Sequence, residues 1–236
     1  MKKHRNKIMF FGFFINMILF GVLGATGVIN MYTSTALSSI TNVILALFLF
    51  GDHLKEEWAR FKTQTTVKKI LWLSFLLFII NVFARTILMT LFEPYLDLES
   101  LGMNQQALEE MQTQINPLLF IFFTVISAPL VEELVFRESL NGWVNKANRT
   151  LVVIMWIVST LLFAGAHVLS LQDFLIYLPL SISLLYMYVK FDRNIWGSIS
   201  FHFVNNALSV ILMYLVQLIP QELLEEAATG LIQLFK

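Results

Sequence analysis

The run Ser127-Ala-Pro-Leu-Val-Glu-Glu-Leu-Val-Phe-Arg137 places Glu132, Glu133 and Arg137 inside one of the most apolar stretches of the chain. An ionised side chain at the centre of a bilayer costs roughly 2.5–3.5 kcal/mol on insertion scales, so such residues are rare and line polar interiors or do chemistry. The stretch therefore reads as the centre of a membrane-embedded site. The composition around it agrees: hydrophobic residues make up 57% of 236 and charged residues 14%, where a soluble domain carries about 25% charged residues. Mean hydropathy is +0.72. The formal net charge is zero, with no basic run beyond the amino terminus, so nucleic acid is not an expected partner. Cysteine is absent, which excludes disulfides and thiolate catalysis.

About 20 mainly apolar residues cross the roughly 30 Å hydrocarbon layer. By that measure spans fall at 8–29, 32–51, 69–92, 117–140, 151–167, 174–190 and 195–219. The expected fold is all-α: a polytopic transmembrane bundle of about seven spans, closed by a short amphipathic carboxy-terminal helix. The apolar stretch from Ile8 is too long for a signal-peptide core of roughly 7–15 residues and reads as an anchor. Three regions follow, with three spans and an acidic loop in 1–115, a four-span catalytic bundle in 116–219 and the amphipathic tail in 220–236. Loop 93–116 reads as a solvated connector with a helical turn around Ala107–Met111. Loop charges alternate in sign. Lys2, Lys3, Arg5 and Lys7, then Lys55 to Lys69, Lys146 with Arg149, and Lys190 with Arg193 occupy one set, while Glu93, Asp97, Glu99, Glu109, Glu110 and Asp173 occupy the other. The positive-inside rule puts the amino terminus in the cytoplasm and the carboxy terminus outside, in a bacterial-type plasma membrane.

Polar residues cluster in the last four spans. Glu133 and Arg137 are four apart on a helix, so they can pair along one face, and Glu132, about 100° round, is the carboxylate left for another task. His167 closes span five in Phe163-Ala-Gly-Ala-His167, and His202 shares a helix face with Asn206. An imidazole beside a carboxamide can hold a developing oxyanion. Taken singly, each of these residues is more often helix-to-helix glue; together they make the inventory for activating water against an amide carbonyl. Two mechanisms fit. In a metal-free one, Glu132 is general base, His167 positions water, and His202 with Asn206 stabilises the oxyanion. In the other, Glu132, His167 and His202 form a zinc set. No His-Glu-x-x-His pair occurs, which favours the metal-free version. His4 and His53 read as surface residues, and Arg85, inside span three, reads as a packing charge or the partner of an acidic group.

The ordered motifs Glu132-Glu133-x-x-x-Arg137, Phe163-x-x-x-His167 and His202-x-x-x-Asn206 resemble the CPBP or Abi family of intramembrane proteases, which includes type II CAAX prenyl endopeptidases and bacteriocin-processing or immunity proteins. The likeness covers roughly residues 115–215. It implies peptide-bond hydrolysis in the membrane, with Glu132, His167, His202 and Asn206 in the catalytic positions and either a glutamate or a metal mechanism. Glu138 stands where a glycine commonly follows the arginine. Expected partners are membrane lipid and a peptide or protein substrate. A non-catalytic immunity protein and a proton-coupled transporter are the alternatives; neither an internal repeat nor paired helix breaks support the transporter.

For the site to assemble, depths must match. His167 lies about 24 Å along span five at 1.5 Å per residue, so the sequence predicts a fourth helix that continues past Arg137 toward Asn145, with Glu132 and His167 within about 10 Å of one another.

Overall fold

The computed structural model describes residues 4–96, 103–168, 170–220 and 223, and these are helical with no strand among them. The helices are α1 (Arg5–Ala25), α2 (Met31–Gln64), α3 (Val67–Phe92), α4 (Met103–Gln114), α5 (Pro117–Ser139), α6 (Arg149–Gly165), α7 (Leu171–Lys190) and α8 (Ile195–Val216). Six of them are long and apolar enough to cross a membrane. The expected fifth span is the exception: α6 has 17 residues. The amphipathic tail expected over 221–236, and Asp97 and Glu99 of the acidic loop, lie outside the described residues, apart from Leu223.

Most helices start on a short polar side chain that accepts from an otherwise unpaired backbone N–H of the first turn. Asn30 caps α2, Thr66 α3, Asn116 α5, Asn148 α6 and Asn194 α8. Two expectations about loops are corrected. The second helix does not stop at 51 but runs 34 residues to Gln64, because Asp52–Gln64 contains neither glycine nor proline. Hydropathy falls there, but helix-forming character does not. His53 is thus no surface residue: its Nε2 lies 2.9 Å from Glu138 Oε1, with its side chain 17% exposed. The connector before α5 holds a 12-residue helix, α4, in place of a single turn. It is rich in helix formers and is tied down by Tyr32 donating to Glu110 at 2.8 Å and by a reciprocal amide pair between Gln112 and Gln217 at 3.2 and 2.7 Å.

The central element is α5. Half of its most apolar window is buried, against 17–39% for the other five spans, and α1, α2, α6 and α8 pack around it. It alternates in geometry, α-helical over Pro117–Ile121 and Ala128–Glu133 and π-helical over Phe122–Ser127 and Leu134–Ser139. Pro129 accounts for the first widened stretch, since it offers no N–H to the carbonyl one turn back. The predicted continuation past Arg137 is present, with helix to Asn141.

The register between α5 and α6 removes the depth conflict. Ser159 Oγ donates to the Phe136 carbonyl at 2.5 Å, which levels Phe163 with Glu132 in this antiparallel pair. His167 is one turn further on, and helical side chains lean back toward the amino terminus. Its ring therefore hangs down toward Glu132. On α8, Gly197 lets the helix approach α7 closely; a Cβ there would lie 2.6 Å from the Met187 carbonyl oxygen and 2.8 Å from the Phe191 ring.

Gly197→Ala should therefore destabilise the protein by about 1–3 kcal/mol through overpacking. Gly21→Ala, where a Cβ meets nothing within 4 Å, should leave stability unchanged or raise it slightly. Thermal unfolding in detergent, followed by tryptophan fluorescence, measures both.

Candidate active site

Glu132 and Glu133 end the short α-helical turn of α5, and the following π-helical stretch carries Arg137. Glu133 and Arg137 are fully buried, whereas the Glu132 side chain keeps 17% exposure. The ion pair expected from their spacing is present, with Arg137 Nε 3.6 Å from Glu133 Oε2. The rest of the guanidinium is held from α6 and α7, by two serines that no motif marks and by the ring of Phe163. Nη1 donates to Ser159 Oγ at 3.1 Å, Nη2 donates to the Ser181 carbonyl at 3.1 Å and to its Oγ at 3.2 Å, and the Phe163 ring lies 4.9 Å from Cζ. One side chain thus joins α5, α6 and α7.

Glu133 has a second contact that the spacing did not foretell, a 3.1 Å bond between its Oε1 and His202 Nδ1. A carboxylate only accepts, so Nδ1 carries the hydrogen and the other ring nitrogen, Nε2, turns toward Glu132, 3.8 Å from its Oε2. His167 repeats the arrangement. Its Nδ1 donates to the Phe163 carbonyl at 2.8 Å, and its Nε2 lies 3.5 Å from the same Glu132 oxygen. Both imidazoles are oriented by a partner on Nδ1 and present Nε2 to one atom. That atom, Glu132 Oε2, is buried and makes no hydrogen bond of normal length.

Phe163 packs against the whole set, its ring 4.7 Å from that of His167, 5.6 Å from His202 and 5.5 Å from Phe136. Tyr177 covers the opposite side of His167, nearly parallel at 4.7 Å and 21°, and its hydroxyl bonds the side chain of Asn104 on α4. Asn206 lies one turn beyond His202 on α8. Its Nδ2 donates to the Thr124 carbonyl in the π-helical stretch of α5 at 2.9 Å and its Oδ1 accepts from the neighbouring Asn205 at 3.1 Å, so neither hydrogen bond runs to the histidines. One amide hydrogen of Asn206 remains.

Glu132, His167 and His202 are thus brought together as the sequence predicts, with Glu133 and Arg137 directly behind them. Ser159, Ser181, Thr124 and Tyr177 were not anticipated; hydroxyls in apolar spans are common helix glue and carry no distinguishing signal. As for zinc, among the described residues no group of three His, Asp or Glu side chains is arranged to hold a metal ion. What the three share is a single carboxylate oxygen. Beside the cluster, an almost wholly apolar groove of about 480 Å³ runs between α2, α3, α5 and α8, and its wall includes Pro129, Leu130, Ile199 and Phe203. A polar cavity of about 570 Å³ lies at the other end of the π-helical stretch, around His53, Glu138, Arg60 and Arg193.

Residues 114–208 match the family model described as Type II CAAX prenyl endopeptidase Rce1-like. The matched stretch takes in Glu132, Glu133, Arg137, His167, His202 and Asn206, and it bears out the resemblance drawn from the motifs. It supports an intramembrane CAAX-type protease in general. No curated protein and no solved structure gives a significant match.

Arg137→Met should leave Glu133 buried without its counter-charge and destabilise the protein by about 3–5 kcal/mol. Ser159→Ala removes one hydrogen bond to the same guanidinium and should cost about 1 kcal/mol. The difference is read from unfolding midpoints of the purified proteins in one detergent.

Proposed function

We propose that this chain, an integral membrane protein whose residues 114–208 belong with the type II CAAX prenyl endopeptidases, is an intramembrane endopeptidase that cleaves a peptide bond in a membrane-associated tail, leader or signalling peptide. The observation that carries the reading is the buried Glu132 Oε2 facing two oriented imidazoles at 3.5 and 3.8 Å, with no hydrogen bond of normal length. A carboxylate and the bare Nε2 of a neutral His167 are both acceptors. A water molecule with one hydrogen toward each satisfies both and leaves its lone pairs for an electrophile.

In this mechanism Glu132 takes a proton from that water as its oxygen bonds the scissile carbonyl carbon. The carbonyl oxygen becomes an oxyanion, which accepts from Nε2–H of His202 in its imidazolium form and from the remaining amide hydrogen of Asn206. Glu133, bonded to His202 Nδ1, fixes that ring and its charge, and Arg137 fixes Glu133. On collapse the C–N bond breaks and Glu132 returns the proton to the leaving amine. Family analogy supplies the reaction class, and the distances around Glu132 support the part given to each residue.

The apolar groove would admit a lipid-attached or apolar tail from the side. The positive-inside reading places the end of the bundle carrying Lys62, Lys146 and Arg193 in the cytoplasm, and substrate reaches the groove from there.

Glu132→Gln and His167→Ala should each lower the cleavage rate by about 10²–10⁴-fold at unchanged membrane levels. Hydrolysis of a fluorogenic, farnesylated peptide by protein in detergent measures this, before and after exhaustive chelation. Full activity in Glu132→Gln would remove the glutamate from the chemistry. Loss on chelation with recovery on adding zinc would replace the metal-free mechanism with the metal one.

A further inference from the structure

The mechanism requires His167 to keep Nε2 toward Glu132 Oε2, but the single bond from its Nδ1 to the Phe163 carbonyl leaves the ring free to swing about that bond. Two stacked rings stop the swing. Phe163 lies against one face at 4.7 Å and 34°, and Tyr177 against the other at 4.7 Å and 21°. The two are held differently. Phe163 is fully buried and wedged between Arg137, Phe136 and His202. Tyr177, in the second turn of α7, is half-buried, and its outer end is tied by Asn104, whose Nδ2 donates to the tyrosine hydroxyl.

Asn104 belongs to α4, which is 12 residues long and not among the spans. Met111 is the one apolar side chain of α4 that is buried, with Leu108 packed beside it against the cluster of Phe120, Phe123 and Val210. Polar ties do much of the rest. Tyr32 holds Glu110 and Gln217 holds Gln112, so two of these ties run to the frame of the bundle. The third, from Asn104, runs to the residue that touches the histidine facing Glu132. A phenylalanine would stack on an imidazole equally well. What the hydroxyl of Tyr177 adds is the link to α4.

We propose that Tyr177 is a positioning residue for His167 and that α4 controls the site through it. With Asn104 in place the imidazole is clamped and Nε2 faces Glu132; with α4 displaced, Tyr177 loosens and the ring loses its alignment. A shift of about 1 Å in a reacting group is enough to cost on the order of a hundredfold in rate. The inference rests on the endopeptidase reading and deepens it: a surface helix sets the activity of a site buried in the bundle.

Two measurements on the full-length protein in detergent test this. In the first, histidines are isotope-labelled at Cε1, and the His167 resonance is identified by its loss in His167→Gln. The stacked Tyr177 ring holds that signal upfield. Tyr177→Leu should release it, Tyr177→Phe should keep most of the shift, and Asn104→Leu should move it part of the way, with the His202 signal in place throughout. An unmoved His167 signal in Tyr177→Leu overturns the positioning role, and an unmoved one in Asn104→Leu overturns the link to α4. Asn104→Leu leaves the stacked rings intact, so it reads the link even where Tyr177→Leu fails to accumulate.

The second measurement follows hydrolysis of the farnesylated peptide. Tyr177→Leu should lower kcat by about 10–100-fold with KM within about twofold of wild type. Tyr177→Phe and Asn104→Leu should each lower kcat by about two- to tenfold, and the double variant by no more than either alone, since both cut the same link. A wild-type kcat in Tyr177→Leu, a loss confined to KM, or additive losses in the double variant overturn the proposal. If wild type itself cuts nothing, the endopeptidase reading fails, and the resonances still decide whether Tyr177 and α4 hold the ring.

Discussion

The buried guanidinium of Arg137 is the constraint on which the rest of the structure depends. A fully buried cation is tolerable only with its charge balanced and its hydrogens bonded, and those demands fall on three helices at once. Glu133 supplies the charge, Ser159 and Ser181 supply oxygens from α6 and α7, and Phe163 supplies a ring face. Each serine hydroxyl also donates to a carbonyl of a neighbouring helix, Ser159 to Phe136 and Ser181 to Thr160. The polar core thus fixes helix register. Lipid offers little hydrophobic drive for helices to associate, so packing and polar contacts of this kind must set their positions.

The same network separates the two adjacent glutamates chemically. Glu133 is committed on both oxygens, to Arg137 and to His202, and has no exposure. Glu132 keeps partial access, and its Oε2 faces the two imidazoles in place of a guanidinium. Arginine orders Glu133, Glu133 orders His202, and His202 turns Nε2 toward Glu132. A residue two steps removed from Glu132 thereby sets the geometry around it, so the charged residues act as a group and not singly.

Much of this was legible in the sequence. Glu132, Glu133 and Arg137 stood out by insertion cost alone, and the spacing of four paired Glu133 with Arg137 correctly. Hydropathy located the spans but misjudged what lies outside the membrane, because α2 continues as helix through charged residues where hydropathy carries no information. The second partner of Glu133, the serines around Arg137 and the Tyr177 stack on His167 depend on register between helices distant in sequence. Single-helix periodicity is silent on that.

The short α6 also acts on its surroundings. Its Leu151, Ile154, Ile157, Val158 and Leu161 face outward, and 17 residues rise only about 25 Å against a hydrocarbon layer of roughly 30 Å. A helix shorter than the hydrocarbon layer is accommodated by local thinning of the bilayer, by snorkelling of flanking residues or by oligomerisation, each at modest cost. Because α6 ends at Gly165, this mismatch falls on the side of the bundle that carries His167. Where thinning is the response, water has a shorter stretch of hydrocarbon to cross beside α6 than beside the longer spans.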